Sequence, residues 1–377
     1  MHILVAPNAF KNSLDASSAA KAIAEGFAES QLKCTCSCFP VGDGGDGTGQ
    51  LLTEICGGSF VQETVNDPLC REIKAFFGLI DDGRTAVIEM ATASGLRLLQ
   101  KDELDPLYAS SFGTGQLMLK AMDMGVQKII LCVGGSATVD GGTGILQALG
   151  IRFLDQQGAP LKNMPEGLTG LAAIDTSGLD SRIAATECII LCDVTNPLLG
   201  EKGAAKIFGP QKGADAMATA KLEEALTRFA KTGLETNGID MATVFHGGAA
   251  GGTAAGLHSF LQARIVNGID YFLDITGFDQ ALEKATLVIT GEGSIDLQTL
   301  EGKAPYGVAI RAGRKKIPVI ALAGKVPAEQ HPELAACFKR LVSINKEPTD
   351  FAAALAATAK NLKTTARELG NELSMDV

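Results

Sequence analysis

The sequence predicts an α/β protein of two domains: a doubly wound parallel sheet assembled from both ends of the chain, and a mixed α/β domain inserted between them. Three observations carry this. Strand-length runs near both ends are near-continuously hydrophobic without alternation, as strands covered by helices on both faces are. The middle of the chain opens instead on three adjacent strand-like segments joined by Asp-Pro and Asp-Asp-Gly turns, the pattern of an antiparallel meander. A length of 377 residues also exceeds what one ordinary core organises.

The first strand is "HILVAP", residues 2–7. It is followed by "SLDASSAAKAIAEGFAES", where Ser13 is a candidate N-cap and Ala16, Ala19, Ala20, Ile23 and Phe27 share one helical face. "CTCSCFPV", 34–41, is the second strand and completes a βαβ unit. Cys34, Cys36 and Cys38 fall on one side of it, where core packing as small apolar groups is expected. Zinc sites favour two to four intervening residues and partner histidines, and His2, His246, His258 and His331 form no such array. Near the other end, "TLVIT", "PVIALAG" and "RLVSIN" supply three more strands, with a helix from about Pro332 to Lys339 and an alanine-rich one from Thr349. These five strands make a flavodoxin-like sheet, which places the first domain at 1–58 and 283–377 and the insert at 59–282. In the insert, the meander "VQETVND", "REIKAFFGLI" and "RTAVIEM" leads to the buried strands "QKIILCVGG" and "CIILCDV", and "MATAKLEEALTRFAKTGL", 217–234, is an amphipathic helix.

A formal net charge of -10 without a dense Lys/Arg run argues against nucleic acid and anionic membrane as partners. A small anion remains compatible, because a few lysines and helix N-termini attract one locally. No stretch approaches a membrane span, and the first ten residues lack a basic n-region. Nine cysteines without paired spacing read as reduced thiols, which points to the cytoplasm.

Ligands of open α/β sheets bind beyond the carboxyl ends of the strands. The loops there are "APNAFKNSL", "PVGDGGDGT", "VGGSATVDGGTG", "CDVTNPLLG" and "ITGEGSID", each mixing small residues with Asp, Asn, Glu or Lys. Glycine lets amides approach a phosphate, although neither a P-loop nor a GxGxxG fingerprint is present. Asp43, Asp46, Asp140, Asp193, Glu292 and Asp296 converge only around a cation, which magnesium with a nucleotide supplies. For Asp46 and Asp140 a loop-fixing role weighs equally. Lys11, Lys212 and Lys303 lie in Gly/Pro/Ser-rich loops beside these acids. Phosphoryl transfer needs metal-held phosphates, positive charge on the transferred group and a positioned hydroxyl.

As a set, "APNAFKNSL", "PVGDGGDGT", "SSFGTGQL", "VGGSATVDGGTGILQALG", "CDVTNPLLG", "FGPQKGA", "GGAAGGTAAGL" and "GEGSIDLQTLEGKAPYGVA" resemble, in order, the blocks of the type I glycerate kinases. The resemblance spans essentially the whole chain. It implies two α/β domains with the active site in the cleft between them, and phosphorylation of D-glycerate by ATP with Mg2+, 2-phosphoglycerate being the favoured product. Two departures stand out: members commonly read Asp-Ser at Asn8-Ala9 and often carry Arg at Ser294, with Lys11 and Arg311 the candidate replacements here.

The resemblance implies Mg-ATP across the glycine-rich loops, with Gly134, Gly135, Ser136, Gly141, Gly142, Gly291 and Gly293 as nucleotide contacts. Glycerate's carboxylate is expected on backbone amides and a lysine, with Asn8, Ser13, Asp43 and Asn196 as substrate contacts. Asp193 is the first choice for orienting and deprotonating the attacking hydroxyl, Glu292 and Asp296 for holding the metal, and Lys11 and Lys212 for stabilising transferred charge. Two other classes compete. A dinucleotide-dependent oxidoreductase needs the missing GxGxxG, and a non-catalytic small-anion binding protein leaves the acidic loops unexplained. Oligomeric state is not legible in the sequence.

Overall fold

The computed structural model describes residues 1–329, 331–345 and 350–375. Contacts divide the chain into two compact units, one from Met1–Asp43 and Ile269–Val377, the other Gly44–Gly268. In chain order the strands are β1 (His2–Pro7), β2 (Thr35–Cys38), β3 (Ser59–Asn66), β4 (Glu72–Ile80), β5 (Thr85–Glu89), β6 (Lys128–Cys132), β7 (Arg152–Leu154), β8 (Ala173–Asp175), β9 (Glu187–Cys192), β10 (Arg264–Asn267), β11 (Leu287–Ser294), β12 (Val319–Lys325) and β13 (Arg340–Ser343).

The unit holding both chain ends is built on a five-stranded parallel sheet of order β13-β12-β11-β1-β2. This is the flavodoxin-like order, and it reverses between β1 and β11. Pro7 lies opposite Gly291 there. Ile3, Val5, Ile289 and Leu322 form the core with Ile23 and Phe27 of helix Ala16–Ala28 and Leu362, Ala366 and Leu369 of helix Thr358–Met375. Burying each large aliphatic side chain contributes about 1.5–3 kcal/mol. The two helices touch at Gly26, where a Cβ would stand 2.3 Å from Lys363 O, so no larger residue fits.

Three local expectations change. Asp15, not Ser13, caps the first helix by accepting from Ser18 N at 2.8 Å. The Ser13 hydroxyl instead donates to Leu355 O at 2.6 Å. Cys34 and Cys36 pack only partly against the core and Cys38 is exposed, because β2 is the edge strand and lacks a neighbour on one side. The helix expected over 332–339 ends earlier, as Pro332–Cys337, and Phe338 then turns into the interior. The expected helix start at Thr349 lies outside the described residues, beyond which helices Phe351–Ala356 and Thr358–Met375 follow.

The second unit carries a six-stranded sheet of order β10-β9-β6-β5-β4-β3 and a small antiparallel pair, β7 and β8. β3, β4 and β5 form the expected meander, while β5, β6, β9 and β10 run parallel. Their carboxyl ends therefore line one side of the sheet. Ile88, Leu131 and Ile190 belong to its core, as do Leu117 and Phe229 from flanking helices. The amphipathic helix is Ala216–Asn237, capped by Asp215 and stopped by Gly238. The unit borders, Asp43/Gly44 and Gly268/Ile269, come earlier than 58/59 and 282/283. Helix Thr48–Ile55 packs on β4 and β5 of the second unit, whereas Ile269 packs under Gly307 of the first.

Candidate active site

In the unit with both chain ends, the point where strand order reverses brings together the residues that follow β1 and the end of β11. Asn8 N donates to Gly291 O at 2.8 Å, continuing the pairing of the two strands by one residue. The Asn8 side chain is oriented at both ends, its oxygen accepting from Ala9 N at 2.8 Å and its nitrogen donating to Asp43 Oδ2 at 2.8 Å. An aspartate at position 8 lacks that donor. Glu292, 9% exposed, accepts from the Thr299 hydroxyl at 3.2 Å. Burial pushes its carboxyl up to about 7; Asp43 adds to the rise, while Lys303, Thr299 and Lys11 oppose it. Gly291 is required inside the sheet, since a Cβ would lie 2.1 Å from Leu322 O, and Gly293 passes close to Lys11 N.

Asp296 takes a different part. Its carboxylate accepts from Gln298 N at 2.9 Å and caps the short turn Leu297–Glu301, while its own amide donates to Thr299 Oγ1 at 3.1 Å. The acid that shares Glu292's surroundings is Asp43. Arg311 does not stand in for the arginine missing at 294: its guanidinium pairs with Asp274 at 2.6 Å, Asp279 at 3.0 Å and Asp270 at 3.6 Å.

In the second unit the two glycine-rich loops touch. Gly134 N donates to Gly44 O at 3.0 Å, and a Cβ on Gly134 would stand 2.5 Å from the Gly45 Cα. Lys212 is 3% exposed and donates to Ser136 Oγ at 2.9 Å and Thr138 O at 2.7 Å. Burial pulls its ammonium down to about 7 against the attraction of Asp140. Asp140, 1% exposed, accepts from Ser111 N, Ser111 Oγ, Gly142 N and Gly144 N, so it fixes the loop. Asp46 pairs with Arg97. Asp193 is half-buried directly after β9. The next residue is held from two sides: Val194 O accepts from Cys192 Sγ at 3.1 Å and bonds His246 Nδ1 at 2.5 Å. Asn196 folds the same loop, donating to Lys202 O at 2.8 Å and accepting at its backbone oxygen from Gly248 N at 2.9 Å.

Two expectations are revised by these bonds. The amides of Gly134, Gly141 and Gly142 already donate to Gly44 O, Gly251 O and Asp140, so they are not open phosphate donors. What glycine supplies there is close packing of backbone. The helix after "PVGDGGDGT" is likewise capped from within, since Glu89 accepts from Gly47 N at 3.1 Å and Gln50 N at 2.8 Å. Burial raises the Glu89 carboxyl, and the backbone donors oppose the rise. Glu89 and Thr299 were missed from sequence. Position at the carboxyl end of a fully buried strand would have singled out Glu89. Among the described residues, no group of three or more His, Cys, Asp or Glu converges to hold a metal ion alone.

A profile of the glycerate kinase family matches residues 3–374. A glycerate kinase of Bacillus subtilis (strain 168) is 41% identical over 375 residues, covering 100% of this chain and 98% of its own. A glycerate 2-kinase of Escherichia coli (strain K12) is 42% identical over 326 residues, 86% of each chain. Among solved structures, a glycerate kinase 2 crystal structure from Salmonella typhimurium LT2 superimposes with a TM-score of 0.84 at 41% identity, covering 100% of this chain and 99% of that one.

Proposed function

Because the chain belongs to the glycerate kinase family, we propose that it transfers the γ-phosphoryl group of ATP, bound with Mg2+, to a hydroxyl of D-glycerate, releasing ADP and 2-phosphoglycerate. The match across residues 3–374 carries the reaction class, phosphorylation of glycerate. The relative called glycerate 2-kinase favours the 2-hydroxyl as acceptor. A cytoplasmic location belongs to the same proposal, since the reaction consumes ATP.

Phosphoryl transfer asks little covalent chemistry of a protein and much positioning and charge. Lys212 and Ser136 supply a positively charged donor pair for phosphoryl oxygens, and the low exposure of Lys212 strengthens its field. Asp193 orients the attacking hydroxyl and accepts its proton. Asn8, Asp43 and Lys11 meet the substrate at the end of β1, and Gly291 and Gly293 let backbone approach it. Ser13 and Asn196 serve by holding their loops, given the bonds they make.

Magnesium bound to a nucleotide asks for one or two carboxylates beside the phosphates. Glu292 and Asp43 fit that demand: both offer oxygen, and Asp43 raises the cost of charge on Glu292. Asp296, spent on its cap, fits less well. The metal supplies neutralisation of phosphate charge when bound.

The direct test incubates the purified chain with Mg-ATP and D-glycerate, follows ADP release, and reads the product by phosphorus NMR. A 3-phosphoglycerate signal overturns the choice of hydroxyl. No ADP above the glycerate-free control overturns the kinase assignment.

A further inference from the structure

Lys303 has no task in the mechanism above, yet the fold brings it back to the end of β11. Asp296 caps the turn Leu297–Glu301, Gly302 takes a left-handed φ of 111°, and Lys303 N then donates to Thr299 O at 3.2 Å. The hydroxyl of the same Thr299 donates to Glu292. Lys303 is thus tied through one residue to the buried carboxylate, and it is the strongest counter-charge acting on it.

Among the described residues, its side chain nevertheless makes no hydrogen bond or ion pair. The same holds for Lys11, which also acts on Glu292. Lys303 is half-buried and Lys11 exposed, whereas the buried cations among the described residues are committed, Arg311 to three aspartates and Lys212 to Ser136 and Thr138. Two uncommitted ammonium groups therefore border a nine-tenths-buried carboxylate, at the point of the parallel sheet where the strand order reverses. Helix Ala304–Arg314 begins at the next residue and adds the positive end of its dipole.

We propose that Lys303 binds the anionic group of the small ligand entering at the carboxyl ends of β1 and β11, a carboxylate or a phosphate, with Lys11 as second contact and the Thr299–Glu292 bond aiming it. The identity of that ligand rests on the glycerate kinase reading. The shared chemistry is a compact oxyanion; the two sources are glycerate and the nucleotide.

The test compares the full-length protein with K303Q and K303R. KM and kcat are measured separately for D-glycerate and ATP, and calorimetric titration reads binding of D-glycerate alone and ATP alone. In K303Q the KM of one substrate rises about ten- to hundredfold, as expected for one charge-assisted contact. The same substrate weakens equally by titration, kcat stays within about threefold, and K303R recovers most of the loss. An effect on glycerate identifies the carboxylate, an effect on ATP the phosphate. If K303Q does not fold, K303R alone decides by a smaller rise in the same single KM. Unchanged KM values and affinities for both substrates overturn the proposal, as does a fall in kcat alone. Titration needs no turnover, so a chain that binds the anion through Lys303 without phosphorylating glycerate defeats the functional reading and leaves this one standing.

Discussion

The ammonium of Lys212 and the hydroxyl of Ser136 meet at 2.9 Å inside the protein, with Thr138 O as the second acceptor at 2.7 Å. Among the described residues no side-chain carboxylate shares these bonds, so the ammonium is held by neutral oxygens. That arrangement keeps the charge available to an arriving anion, at the cost of a pKa pulled by burial from 10.5 to about 7.

Stability should report this lysine directly. Between pH 7 and 10.5 the unfolded chain keeps a proton that folded Lys212 has shed, so its contribution to the unfolding free energy rises with pH across that window. K212M removes the rise. Urea unfolding of both proteins at about pH 7 and about pH 9.5 measures it, the comparison between variants cancelling the other groups. Turnover in K212M is expected to fall about 100- to 1000-fold, the size seen when one preorganised donor is lost.

Glu292 gives the opposite slope in an acid window. Its folded pKa, about 7, lies above the ordinary glutamate value of 4.5, so its contribution is fully present below pH 4.5 and is lost as pH rises through 7. E292Q abolishes that loss. If Glu292 helps to hold Mg2+, E292Q also needs more magnesium for half-maximal rate, by about tenfold, in a titration at fixed ATP. An unchanged magnesium requirement removes it from the metal site.

Asp193 separates chemistry from folding. D193A should lose about 100- to 10,000-fold in kcat, the range of a general base, while still melting in one cooperative step. Full activity in D193A would transfer the role to another group.

Asp140 is expected to behave in reverse. D140A strands the amides of Gly142 and Gly144 and the Ser111 donors in a buried place, which costs about 3 kcal/mol of stability. Denaturant midpoints measure it. A stable D140A protein with impaired turnover would show that Asp140 acts on substrate rather than on the loop.

Strands, their order and the position of the polar loops were legible because they depend on long apolar runs and on topology rules. What each loop residue does was less legible. Ser13 and Asp15 are both good caps by type, but the helix begins at Ala16, directly after an extended Asp15, and the Ser13 hydroxyl is taken by Leu355 O. The cysteines of β2 read as core because a face pattern says nothing about which strand lies at the edge. Glycine-rich loops read as anion cradles, but whether their amides face outward depends on carboxylates distant in sequence, such as Glu89 for Gly47. Glu292 and Asp43 were found as acids at strand ends; their shared surroundings came from the pairing of β1 with both β11 and β2.

β1 is a central strand whose two neighbours come from very different times in synthesis. β2 follows it within the same short N-terminal segment, but β11 begins only at Leu287. On a ribosome adding about 5–20 residues per second, one edge of β1 stays unpaired for roughly ten seconds to a minute. During that interval every residue of the other unit, Gly44–Gly268, has been made. The chain therefore completes its middle before its beginning, and the apolar edge of "HILVAP" is the surface a chaperone has most reason to cover.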